Sequence, residues 1–269
     1  MVAVYQQDIV WGDPQANRER LTRAFESAPE AELYVFPEMF TTGFATLPEA
    51  KVETSADETL AWMKRMAAEH DAAIAGSIAL QVSPGVTGAD GTVSGDRCVN
   101  RLYFVKPDGS VTWYDKRHLF GYGGEGERFN RGEERVVVEF RGIRYLLAVC
   151  YDVRFPVWLR NRDDYDAIIL VANWPEVRQS AWDILTRARA IENQCFVIAA
   201  NRVGDDPACH YAGGSAIIDA FGDPISRAEG STEQWISASL GLAGVGINGL
   251  KLFRRKFPVL ADADAFELK

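Results

Sequence analysis

Three reactive side chains each stand where an apolar run gives way to polar residues. ELYVFPE (32–38) ends in Glu38, VTWYDK (111–116) in Lys116 and YLLAVC (145–150) in Cys150. A free thiol is only a few per cent thiolate at neutral pH, so a cysteine nucleophile needs a neighbouring base or positive charge. A glutamate can take the thiol proton, while a lysine can stabilise the thiolate and donate to the oxyanion of a tetrahedral intermediate. If the three strand ends share one sheet edge, the set suffices for acyl transfer without histidine. Taken singly, each has a plainer reading: Cys150 as a packed thiol, Glu38 as a cap or loop carboxylate, Lys116 as a solvated charge beside Asp115.

The elements that must position them are readable from periodicity. Apolar runs of strand length recur at 2–10, 32–38, 72–80, 101–107, 111–116, 135–140, 145–150, 166–173, 195–201, 215–220 and 234–240. Many are apolar on both faces, as in strands sandwiched between layers. Ser55-x-x-Glu58 and Ser180-x-x-Asp183 are capping-box patterns ahead of apolar residues spaced three and four apart, and residues 17–27 predict a further helix. Pro107-Asp108-Gly109, Arg141-Gly142 and Phe221-Gly222-Asp223-Pro224 are turn signals between strands. Helices alternating with strands, plus hairpins, predict an α/β sandwich of two sheets with helices outside. The glycine-rich stretch 83–96 predicts a long hairpin tip or surface loop, and no linker or internal repeat divides the chain.

Composition narrows the class. With 269 residues, 47% of them hydrophobic and 25% charged, the chain has the make-up of a folded globular domain. A net charge of −9 without a basic stripe argues against nucleic acid or anionic membranes as partners. The opening MVAVYQQDIVWGD has no signal-peptide pattern and no apolar stretch is long enough for a membrane helix, so a cytoplasmic location is expected. Cysteines 98, 150, 195 and 209 lack CxxC spacing and are expected to be free thiols, and the three histidines leave little material for a metal. A thiol redox or sensor protein is the alternative from another class; the want of a resolving cysteine at CxxC spacing counts against it.

FPEMF (36–40), YDKRHLF (114–120) and CYDVRFP (150–156), with Glu38, Lys116 and Cys150 separated by 78 and 34 residues, resemble the nitrilase, or carbon-nitrogen hydrolase, superfamily. ANWP (172–175), TRARAIENQ (186–194) and ANRVG (200–204) extend the resemblance. It implies a four-layer αββα sandwich in one domain (1–269), a tail from about 250 packing on the core or on a partner subunit, a homodimer, and no cofactor. It implies Glu38 as general base, Lys116 and the backbone N–H of Tyr151 as oxyanion donors, and Cys150 as nucleophile. A second active-site glutamate matches Glu125, with Glu127 close by as the other choice.

Within the superfamily the chain is most similar to the omega-amidase branch, on those motifs and the late KFP-x5-DAF (256–266). That branch implies hydrolysis of 2-oxoglutaramate or 2-oxosuccinamate and a link to methionine salvage. A nitrilase, a carbamoyl-amino-acid hydrolase or another amidase would use the same three residues. An anionic substrate needs a fixed cation, for which Arg154 and Arg202 are the candidates; Arg154 stands equally open to pairing with a structural carboxylate. Phe40, Tyr151 and Trp174 are expected to wall the cleft. His118 is expected in a supporting role, and the polar loop DDPACHY (205–211) at the cleft mouth or on the surface.

Overall fold

The computed structural model describes residues 1–47, 50–82, 97–241 and 247–264. The expected loop 83–96 and the last residues of the KFP-x5-DAF motif lie outside them. The first sheet takes β1 (Val2–Gln6), β2 (Leu33–Val35), β3 (Ala73–Val82), β4 (Arg97–Val105) and β5 (Val111–Asp115). The second takes β6 (Val137–Phe140), β7 (Ile143–Val149), β8 (Ala167–Ala172), β9 (Phe196–Asn201), β12 (Ala216–Ile218) and β13 (Pro224–Arg227). Between β9 and β12 run β10 (Val203–Asp205) and β11 (His210–Ala212), a separate ribbon, and β14 (Gln234–Ala238) returns to the first sheet. The strand orders are β14-β1-β2-β3-β4-β5 and β13-β12-β9-β8-β7-β6. In each sheet the central strands, β1-β2-β3 and β7-β8-β9, are parallel and the flanking ones antiparallel.

Strand alternation sorts the layers. Val2, Val4, Leu33, Val35, Ala73 and Ala75 face the second sheet and share one core with Leu147, Val149, Ile169 and Ile198. Their neighbours Ala3, Tyr34 and Ile74 face outward, where α1 (Pro14–Ala24) and α2 (Asp57–Glu69) bury Leu21, Trp62, Met63 and Met66 against them. The short α3 (Glu125–Arg128) and α4 (Pro156–Leu159) occupy the connections, and α5 (Gln179–Glu192) covers the second sheet with Trp182 and Ala190. The result is two mixed sheets flanked by helices, the αββα arrangement. After β14 comes α6 (Ile247–Lys256), whose Arg254 donates to the Gln194 and Tyr165 carbonyls and to Asp163 and Asp166.

Several boundaries differ from the sequence reading. The first helix begins at Pro14, earlier than 17, because Asp13 caps it by accepting from Ala16 N–H at 3.0 Å. Ser180 is no cap: it lies inside α5, which grows directly from a 3-10 turn at Glu176–Arg178. Ser55 accepts from Asp57 N–H, but Glu58 turns away to Arg18, so no reciprocal box forms. The Arg141-Gly142 turn does join β6 to β7, and both residues have positive φ, +48° and +76°, as a two-residue turn between twisted strands requires.

Candidate active site

Glu38 follows β2 by three residues, on a turn pinned to β3: Met39 N–H donates to Ser77 Oγ and Phe40 N–H to the Ser77 carbonyl. Lys116 is the first residue past β5, its own N–H donated to the Asn100 carbonyl of β4. Cys150 is the first residue past β7 and holds φ +45°, a left-handed conformation that side-chain-bearing residues seldom adopt. Such strain is held by the surroundings. Asp152, two residues on, accepts from Val149 N–H, Tyr114 Oη and His118 N–H, and meets His118 Nδ1 at 2.8 Å. Arg189 of α5 adds a bond to the Val153 carbonyl. His118, stacked on Phe155 at 3.7 Å, thus belongs to the scaffold of the cysteine turn.

The three strand ends converge. Lys116 Nζ lies 2.9 Å from Glu38 Oε1 and 2.8 and 3.0 Å from the two oxygens of Glu125, and all three side chains are fully buried. Glu125 also accepts from Phe120 N–H at 2.7 Å. Glu127 is exposed, so the inward glutamate is Glu125. Asn100 Nδ2 bridges Glu38 and Glu125 at 2.7 and 3.2 Å, and Asn173 N–H donates to Glu38 Oε2 at 2.8 Å. Neither asparagine was expected from the sequence. The one available signal for Asn100 is an amide on a buried face of a strand.

The electrostatics follow from one ammonium facing two carboxylates without solvent. Burial pulls the Lys116 ammonium down, but Glu125, Glu38 and Cys150 outweigh it and hold its pKa above the ordinary lysine value. Burial and the nearby Glu38 raise Glu125 despite Lys116. The Cys150 thiol is raised well above its ordinary value by burial first and by Glu38 second; Lys116 pulls the other way and loses. These surroundings favour the protonated thiol over the thiolate that a lone lysine neighbour would give, so a nucleophilic role would call for a base.

Cys150 is 8% exposed, into a cleft of about 280 Å3. Tyr151, Trp174, Phe44, Phe120 and Tyr211 supply its apolar walls, and the turn between β10 and β11, Asp206 to Cys209, closes one side. A larger depression of about 770 Å3 beside α6 contains none of these groups. Arg154 lines the cleft with its guanidinium 5.1 Å from the Trp174 ring centroid, and Arg178 lines it 5.0 Å from that of Phe120. Among the described residues neither arginine forms an ion pair, so the structural carboxylate considered for Arg154 is not there.

Two residues expected at the cleft, Phe40 as a wall and Arg202 as a cation for the substrate carboxylate, are elsewhere. Phe40 is fully buried on the outer face of the first sheet among Phe36 and Trp62, so close over Gly76 that any Cβ there would meet its ring at 2.7 Å. Arg202 is also fully buried: it donates to the carbonyls of Val203, Ile9 and Asp205, lies 3.7 Å from Asp8 and stacks on Tyr211. It holds β10–β11 to the N-terminal segment and does not line the cleft.

The pattern described as carbon-nitrogen hydrolase matches residues 1–246. Omega-amidase YafV of Yersinia enterocolitica is 42% identical over 268 residues, covering 99% of this chain and 98% of that one. The 2-oxoglutaramate amidase of Bacillus subtilis is 34% identical over 244 residues, 87% and 88% of the two chains. Among solved structures, XC1258 of Xanthomonas campestris, described as a CN-hydrolase superfamily protein with an arsenic adduct in the active site, superposes with a TM-score of 0.88 at 40% identity, covering 100% of this chain and 98% of that one.

Proposed function

This chain belongs to the carbon-nitrogen hydrolase family, and from that membership we propose an omega-amidase that converts 2-oxoglutaramate or 2-oxosuccinamate to the 2-oxo dicarboxylic acid and ammonia. It is a hydrolase of amide carbon-nitrogen bonds. The observation that carries the choice of substrate is the pair Arg154 and Arg178, two cations lining the cleft that, among the described residues, form no ion pair. A short amide carrying a carboxylate at its far end supplies what they lack.

Cys150 Sγ attacks the amide carbonyl carbon while its proton passes to Glu38. The oxyanion is held by Lys116 Nζ and the Tyr151 N–H, donors fixed before the charge develops. When the C–N bond breaks, Glu38 returns the proton and ammonia leaves, with a thioester remaining on Cys150. Water then attacks the thioester, Glu38 taking its proton, and as the C–S bond breaks Glu38 returns that proton to sulfur, regenerating the thiol and releasing the acid. Glu125 keeps Lys116 charged and aimed, and each carboxylate oxygen of Glu38 already takes a strong donor, so its orientation is set before substrate arrives.

Ammonia release from 2-oxoglutaramate, run beside glutamine, a neutral aliphatic amide, a nitrile and a carbamoyl amino acid, tests the reading. Preference for the keto-acid amide, lost in Cys150→Ala, is expected. Turnover of another substrate with silence on the keto-acid amide would keep the cysteine chemistry and discard the omega-amidase. A cytoplasmic place beside glutamine-dependent transamination, as in methionine salvage, is the matching physiology. Val177, Ile184 and Ile191, seven residues apart along α5 and the turn before it, are 84%, 63% and 51% exposed and supply an apolar stripe for a homodimer, which sedimentation would test.

A further inference from the structure

Asn173 presents an unusual combination. It is 4% exposed, lines the cleft beside Cys150, and both its Oδ1 and its Nδ2 are buried without a hydrogen-bond partner. Among the described residues no other side chain has all its polar atoms in that state; Gln7, Asn100, Gln179, Gln194 and Arg202 each leave only one. Leaving a buried amide unpaired is costly, so a side chain held this way is matched to a partner that arrives.

Its position says which partner. The backbone N–H of Asn173 is already committed to Glu38 Oε2, which puts the residue beside the group that must hand a proton to the leaving nitrogen. The charged groups around the reacting carbon are donors or already accept hydrogen bonds. Lys116 has only N–H bonds to offer, and Glu38 Oε1 already accepts from Lys116 and Asn100. The carbonyl oxygen of a substrate therefore finds donors, while the –NH2 finds a free neutral acceptor on the cleft wall, Asn173 Oδ1; Asn100 Oδ1, also without a partner, does not line the cleft.

We propose that the Asn173 side chain is the amide-recognising group of the site, its Oδ1 accepting an N–H of the scissile –NH2 and turning the nitrogen lone pair towards the proton on Glu38. An ester or a nitrile has no N–H to give and gains nothing from this contact. The acid product presents oxygen to Oδ1 and loses it, which favours release.

The inference rests on the Cys150 thioester reading, so the test separates the two. Wild type, Asn173→Ala, Asn173→Ser and Cys150→Ala are compared on 2-oxoglutaramate and on the matching methyl ester of the same acid, with thermal melts as a fold control. Any substitution at 173 keeps the backbone bond to Glu38, and the amide and ester share one acyl-enzyme. The expected result is a loss on the order of 10- to 100-fold in kcat/KM for the amide, with ester turnover within about threefold of wild type, as a charge-free contact confined to the –NH2 requires. Equal losses on both substrates, or no loss on either, would overturn the role of Asn173 while leaving the thioester intact. Turnover of both substrates by Cys150→Ala would instead remove the nucleophile, and the inference with it.

Discussion

Glu125 grips Lys116 with both carboxylate oxygens, at 2.8 and 3.0 Å, whereas Glu38 meets the same ammonium through one oxygen at 2.9 Å. The two glutamates are therefore not equivalent. Glu125 has both oxygens on the ammonium and a third bond from Phe120 N–H, while Glu38 keeps an oxygen facing the Asn173 side of the site. This asymmetry is what the proposed mechanism asks of them, Glu125 holding Lys116 and Glu38 transferring the proton.

Glu125→Gln removes the charge that keeps Lys116 aimed but preserves shape. We expect kcat to fall by about 10²–10³, the range for losing an oxyanion donor, with little change in melting temperature. Glu127→Gln, on the exposed neighbour, should leave both unchanged. Steady-state kinetics and a thermal melt of the two variants check this.

The raised pKa of the Cys150 thiol has a definite sign in reactivity. Because burial and Glu38 disfavour the thiolate, the group stays protonated through neutral pH and its alkylation by iodoacetamide should keep rising with pH beyond the ordinary thiol range. A plateau reached near pH 7 would show a preformed thiolate instead. Mass spectrometry of the labelled peptide against pH reads the result directly.

Arg154→Leu and Arg178→Met should each raise KM for 2-oxoglutaramate by about tenfold or more, the worth of a charge-assisted bond, with KM for a neutral short amide little altered. Arg202→Met should behave differently, lowering the melting temperature by loosening β10–β11 from Ile9. Equal effects of the cleft variants on charged and neutral amides would remove them as carboxylate clamps.

Arg254 joins α6 to the body of the molecule through two backbone carbonyls and two aspartates. Arg254→Ala should cost about 1.5–3 kcal/mol, as expected for losing hydrogen bonds to a charged group. Asp166, whose pKa is lowered by Arg144 and Arg254 in spite of its burial, makes this cluster acid-sensitive: its contribution is present above the ordinary carboxylate range and lost as pH falls through the depressed value. Denaturation of wild type and variant at neutral and acid pH should show the difference between them shrinking in acid.

The sequence by itself determined what is local. Apolar runs ending in Glu38, Lys116 and Cys150, and the turn at Arg141-Gly142, are properties of a few consecutive residues, so period and chain chemistry sufficed to place them. The direction in which a side chain faces was decided only by tertiary structure. Phe40 sits two residues from Glu38 yet lies on the other face of the sheet, because the turn at Met39, with φ +45°, is fixed by Ser77 of a different strand. Arg202 has its charge absorbed by Ile9, 193 residues away, and by a ribbon the sequence pattern did not disclose. Asn100, Asn173 and Arg178 gain their places only because β4, β8 and the start of α5 reach the same cleft. Hydrogen-bond partners and burial are relations between distant segments, and no single run of residues carries them.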